Sequence, residues 1–278
     1  MQKMEAPTIH YDRIGLRDRL VAVLAAAGYA NGQIELKDLA ALDQFHSRGL
    51  EATVDLANEL ALDANTSVID IGSGLGGPSR YLAHRFGCKV LGIDISPSFV
   101  EAATYLASRT NLSDRVSFQL GNALSLPFPD RFFDVAWTQH VAMNIRDREL
   151  LYAEAFRVLK PGGQFAIYDV VAGSAGPLIF PVPWSASEEG SFLLSSDAMQ
   201  AVLDRAGFTI QSWKDRSEAS VAWFKKRAVA VQRSPLDHKS ALGLDIVMGP
   251  EFPVMSANLL QNLEDGRAGL IETVLRRP

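Results

Sequence analysis

The chain of 278 residues is 47% hydrophobic and 21% charged, with a formal net charge of -5. This composition supplies a sizeable core and excludes wholesale disorder, and the acidic balance excludes the broad basic footprint on which nucleic-acid binding rests. A lone cysteine, Cys88, rules out an intrachain disulfide and a cysteine zinc cluster and points to a reducing compartment.

The N-terminus carries charges where a signal peptide would carry an apolar stretch, and the apolar run 20–27 falls short of the roughly 20 residues that span a bilayer. A cytoplasmic chain with no stable membrane insertion is therefore expected. Residues 13–27 place apolar side chains at helical spacing and stop at Gly28. Further helical stretches follow over 35–45 and 50–62, so residues 1–65 read as a helical N-terminal segment.

The pattern changes at Ser67. An apolar strand over 68–71 runs directly into Gly72-Ser73-Gly74-Leu75-Gly76-Gly77, and a helix opens near Pro78, where a missing N–H costs nothing. A second strand over 89–93 ends at Asp94, and Ser96 and Pro97 open the next helix as cap and first residue. Strands follow over 116–120 and 134–138, a helix over 147–159 stopped by Pro161-Gly162-Gly163, and a strand over 164–171. Beyond a Gly-, Ser- and Pro-rich stretch come a helix over 196–206, a strand over 208–213, a largely helical region over 217–264 and a last strand over 268–275. This alternation predicts an α/β, Rossmann-like domain over 66–278, with a mostly parallel seven-stranded sheet and helices on both faces. Its ligand should sit beyond the carboxyl ends of the strands.

The residues just past each strand carry the chemistry. A glycine-rich turn from strand to helix lets backbone amides approach a ligand, and Gly72, Gly74 and Gly77 fit G-x-G-x-x-G while Gly72, Gly74 and Gly76 fit G-x-G-x-G. Asp94 ends the second strand, where a carboxylate can accept from both hydroxyls of a ribose. Loop and aspartate together point to a nucleoside ligand and leave NAD and S-adenosylmethionine both open.

Further along lie Gly121-Asn122-Ala123, then Leu126-Pro127-Phe128, then Val158-Leu159-Lys160-Pro161-Gly162-Gly163. With the glycine loop and Gly92-Ile93-Asp94, this ordered series over 66–171 resembles the class I S-adenosylmethionine-dependent methyltransferases. Asp43-Gln44-Phe45-His46-Ser47-Arg48-Gly49 together with 74–83 looks like the small-molecule branch, which includes sarcosine/dimethylglycine, phosphoethanolamine and tocopherol methyltransferases. The resemblance implies that residues 1–65 form a lid and that His46, Ser47 and Gly49 lie near the methionine part of the cofactor. It implies that Asp70, Gly72, Gly74 and Gly76 shape the cofactor loop, that Asp94 with Ile95 holds the ribose, and that Asn122 and Ala123 flank the adenine. Gln139 and His140, past the fourth strand, would face the reacting centre. The N-methyltransferases of the branch often carry Asp-Ala-x-x-His after that strand; here the stretch is His140-Val141-Ala142-Met143-Asn144, with Asn144 in place of their His.

A methyl group on a sulfonium leaves as part of a neutral thioether, so alignment supplies most of the catalysis, and a base is needed only when the acceptor loses a proton. No metal is required. His140 is the base candidate, set against a structural hydrogen-bonded histidine, and Asn144 is a catalytic or substrate contact, set against a helix cap. Trp184 is expected in the wall of the acceptor pocket, and Tyr11 could close the lid or be a surface residue. The expected activity is methyl transfer from S-adenosylmethionine to a small-molecule N, O, S or C nucleophile, with oligomeric state open, a homodimer included. The alternatives are an NAD(P)-dependent oxidoreductase and a non-catalytic nucleoside-binding regulator.

Overall fold

The computed structural model describes residues 15–233 and 242–278. Helices α1 (Leu16–Leu24), α2 (Leu36–Asp43) and α3 (Leu50–Asn58) come first. The apolar runs then alternate with amphipathic stretches to give β1 (Ser67–Ile71), α4 (Gly77–Phe86), β2 (Lys89–Asp94), α5 (Pro97–Arg109), β3 (Val116–Leu120), β4 (Phe133–Gln139), α6 (Arg148–Val158) and β5 (Leu159–Ala172). They are followed by α7 (Ser196–Arg205), β6 (Thr209–Asp215), α8 (Ser217–Arg233), α9 (Asp245–Met248), α10 (Phe252–Glu264) and β7 (Ala268–Arg276).

The seven strands form one sheet in the order β3-β2-β1-β4-β5-β7-β6. β1 pairs in parallel with β2 and with β4, and β7 runs antiparallel between β5 and β6. Strand order reverses between β1 and β4, so the loops that leave these two strands diverge and open a crevice at their carboxyl ends.

Side-chain alternation along the strands divides the core in two. Val68, Val90, Trp137 and Tyr168 face α3 and α10, while Ile69, Ile71, Phe165 and Ile167 face α6 and α7. A third cluster joins Leu16, Leu20 and Leu24 of α1, at the four-residue spacing of one helix face, to Leu39 and Leu42 of α2 and to Phe99, Ala102 and Leu106 of α5. Leu75 of the glycine loop and Val247 of α9 complete it. The N-terminal helices thus pack in three places: α3 on the sheet core, α2 against the start of α4 beside the glycine loop, and α1 on α5.

Several boundaries differ from the sequence-based expectation for local reasons. The first helix continues past Leu24 as a π turn to Tyr29, broken at Gly28 with φ 92°. The third stops at Asn58 rather than at residue 62, because Asp63 accepts from Asn65 N and Thr66 Oγ1 and turns the chain towards β1. β5 starts at Leu159, so Pro161-Gly162-Gly163 lies inside the strand as an irregularity against β4 instead of before it.

Candidate active site

The crevice between the ends of β1 and β4 is lined by the glycine loop, the ends of β2 and β4, the turn after β3, Asp43, Phe45 and His46, and also by Trp184, Met248 and Phe252. Gly72 has φ 74°, and a Cβ there would come within 2.5 Å of the Val141 side chain from the β4 loop. Only glycine lets these two loops meet. Gly77 is required by a different contact. A Cβ there would lie 2.4 Å from the Asp43 carbonyl oxygen, so the end of α2 is seated directly on the start of α4. Gly72 and Gly74 line the crevice; Gly76 does not, and packs against the Phe118 ring instead.

Three carboxylates face this space. Asp94 accepts from Gly74 N at 2.8 Å through one oxygen and from Ser96 N at 2.9 Å through the other. Burial pushes it up to about 6 against these hydrogen bonds. Asp70 accepts from Ser79 Oγ at 2.6 Å, and burial, aided by the Asp94 charge, pushes it up to about 7. Asp43 is paired with the fully buried Arg80 at 2.6 Å, and Arg80 also donates to the Leu75 carbonyl at 2.6 Å. One guanidinium against three carboxylates gives the crevice an acidic lining.

Asp70 yields a signed prediction. Its folded-state carboxyl titrates near 7, above the ordinary 3.8, so the native state binds that proton more tightly than the unfolded chain. The stabilisation it confers is complete at low pH and is lost as pH rises towards 7. The isosteric, uncharged Asp70→Asn variant should melt close to the wild type below about pH 4, and above it by a margin that widens as pH rises to 7 and then stays constant. A melting difference independent of pH would contradict this.

At the end of β4 the backbone of His140 takes φ 53°, an uncommon conformation outside glycine that turns its ring into the crevice. The ring stacks on Tyr168 at 5.5 Å between centroids and 12° between planes, and its Nε2 is 3.5 Å from Ser47 Oγ. Ser47 also contacts the Tyr168 hydroxyl at 3.0 Å, and that hydroxyl contacts Ser220 Oγ at 3.1 Å. His46 lies edge-on to both rings and donates from Nε2 to the Gly49 carbonyl at 2.9 Å. Burial lowers His46 to about 4, and burial together with His46 holds His140 well below 6.5. Both imidazoles are neutral at physiological pH, and His140 offers a lone pair for a proton.

His46, Asp70, Gly72, Gly74, Asp94, Ile95, Asn122, Ala123, Gln139, His140, Asn144 and Trp184 all line the crevice. Ser47 does not line it and acts from behind, against His140. Asn144 sits in a short 3-10 turn, Ala142–Asn144, and does not cap α6; Asp147 does, accepting from Leu150 N at 2.9 Å. Trp184 is 2% exposed and donates from its indole to Ser191 Oγ at 2.9 Å. Tyr11 lies outside the described residues. Asp43, Ser73, Met143, Met248 and Phe252 also line the crevice and were not anticipated. Asp43 opens the stretch Asp43–Gly49 that the sequence singled out, but nothing local tied it to Arg80. No helix among the described residues is long and apolar enough to cross a membrane, and no metal-ligand cluster occurs among them.

Comparison with known proteins bears directly on this geometry. Residues 69–167 match the family model described as a methyltransferase domain. The 27-O-demethylrifamycin SV methyltransferase of Amycolatopsis mediterranei is 32% identical over 216 residues, which cover 72% of this chain and 77% of that protein. The chain belongs to the class I S-adenosylmethionine-dependent methyltransferases.

A probable tocopherol O-methyltransferase of Oryza sativa is 44% identical over 101 residues, which are 36% of this chain and 28% of the rice protein. The crystal structure of the [4+2]-cyclase SpnF superposes with a TM-score of 0.69 at 23% identity, covering 99% of this chain and 96% of that one, which shows the shared fold. S-adenosylmethionine is the cofactor of this methyltransferase family, and the crevice fits it. Its acidic lining suits a sulfonium cation, Asp94 ends β2 at the crevice, and Ser73 Oγ and Gln139 Nε2 are buried polar atoms with no hydrogen-bond partner among the described residues.

Proposed function

We propose that this methyltransferase delivers the methyl group of S-adenosylmethionine to the hydroxyl oxygen of a small, largely apolar acceptor. The observation that carries this reading is a neutral imidazole, His140, held between the cofactor loop and an apolar wall of Met143, Ile145, Pro183, Trp184, Met248 and Phe252. Bound in the crevice, the cofactor supplies an electrophilic methyl and a neutral leaving group. Asp94 and the glycine loop hold the donor in one orientation, which supports in-line attack. The apolar wall holds the acceptor and excludes water, strengthening the local electrostatics. The acceptor hydroxyl loses a proton as its oxygen is methylated, and His140 takes that proton. Ser47 and the stacked Tyr168 ring hold His140 in place.

Two relatives named as acting at oxygen, the tocopherol and demethylrifamycin methyltransferases, support the same reading. The segment formed by α1, α2 and the turn to Gly49 serves as the lid, and a cytoplasmic location accords with the buried, unpaired Cys88. The test is calorimetric titration with S-adenosylhomocysteine beside NADH, followed by a methyl-transfer screen of apolar alcohols, phenols and amines. One-site binding of S-adenosylhomocysteine alone, with transfer to hydroxyl acceptors, is expected. Binding of NADH would favour an oxidoreductase, and transfer confined to amines would refute the oxygen acceptor.

A further inference from the structure

Asn144 is a polar residue in an apolar stretch of the crevice. It ends the short 3-10 turn Ala142–Asn144 and stands between Met143 and Ile145, and all of Met143, Asn144 and Ile145 line the crevice. Its backbone N–H donates to the Val141 carbonyl at 3.0 Å, so one tight turn separates the Asn144 side chain from that of His140. The amide itself makes no hydrogen bond among the described residues, and its Oδ1 is buried. Helix capping, the ordinary use of an asparagine at such a place, is taken by Asp147. An amide neither gains nor loses a proton in the physiological range, so the part left to Asn144 is recognition.

An unpaired amide in an apolar wall is costly. No bond decides which end of it faces the crevice, so the group that relieves it must both donate and accept. A hydroxyl does both. One acceptor hydroxyl already faces His140, one turn away. We propose that Asn144 binds a second hydroxyl of the acceptor, on the carbon next to the one that carries the methylated oxygen, so that the substrates are largely apolar 1,2-diols, catechols included. This rests on the oxygen-acceptor reading above and narrows it. The amide also selects which of the two oxygens meets His140, because the acceptor is held at both. An acceptor with a single hydroxyl leaves Asn144 unpaired, and a site rejects an analogue in this way.

The test is calorimetric titration of the full chain, saturated with S-adenosylhomocysteine so that no methyl group is transferred. The two titrants are 4-tert-butylcatechol and 4-tert-butylphenol, which differ by one hydroxyl. The catechol should bind about tenfold more tightly, the worth of one hydrogen bond to a buried group. In Asn144→Ala the preference should fall below about threefold, through weaker binding of the catechol. Asn144→Leu, close in shape and apolar like the wall around it, should do the same, and it decides if the alanine variant fails to fold. Equal binding of the two probes by the unsubstituted protein would overturn the proposal, and so would a preference that survives the substitutions. Binding of neither probe by the unsubstituted protein would instead overturn the oxygen-acceptor reading.

Discussion

Asp94→Ala is expected to weaken S-adenosylhomocysteine binding by roughly two to three orders of magnitude, the effect of losing two hydrogen bonds to a charged acceptor. The carboxylate ends β2 at the crevice, and each oxygen takes one backbone N–H, from Gly74 and from Ser96. Acceptor capacity remains on the carboxylate for the ribose hydroxyls. The variant also orphans those two amides, so its melting point should fall by a few degrees while the fold persists. Asp94→Asn keeps one acceptor oxygen and should lie between the two. Calorimetry beside a thermal melt separates the effects, and unchanged affinity in a folded Asp94→Ala protein would remove Asp94 from the ribose site.

His140→Ala should lower turnover by roughly 10²–10⁴, the range for a general base, and leave S-adenosylhomocysteine affinity within about threefold. The sign of the pH dependence follows from its environment. Burial and His46 hold the ring well below 6.5, so the proton-accepting form already dominates at neutral pH. The wild-type rate should rise with pH through a value below 6.5 and then flatten, and the variant should lose that limb. Turnover in His140→Ala equal to the wild type on a hydroxyl acceptor would leave the histidine a structural residue.

Much of this arrangement could be read from local signals. The glycine run after an apolar strand, the aspartate ending the next strand and the Leu-Lys-Pro-Gly-Gly stretch are each short-range, because backbone conformation and strand termini are set by near neighbours. Twelve of the sequence-based site residues line the crevice for this reason. The features that escaped are those made by long-range contact. Asp43 meets Arg80 across 37 positions, and Ser47 reaches Tyr168 across 121. Met248 and Phe252 come from a region where helical periodicity says nothing about which face meets the crevice. The reason for Gly77 also lay outside the sequence. The glycine fits a nucleotide-loop pattern, yet it is the carbonyl oxygen of Asp43 that forbids a side chain there.

The place of β7 in the sheet bears on how the protein is made. β7 lies between β5 and β6 and pairs with both, through registers such as Gln164 with Arg276 and Thr209 with Arg276. Closing the first of these spans more than a hundred positions, and contacts so distant in sequence slow folding. Until residues 268–276 arrive, the edge of the buried strand β5 that faces away from β4 stands open to other chains, and a nascent or truncated molecule would be exposed to aggregation at that stage. Expression yield and solubility should therefore depend more steeply on substitutions in β7 than on those in the peripheral β3.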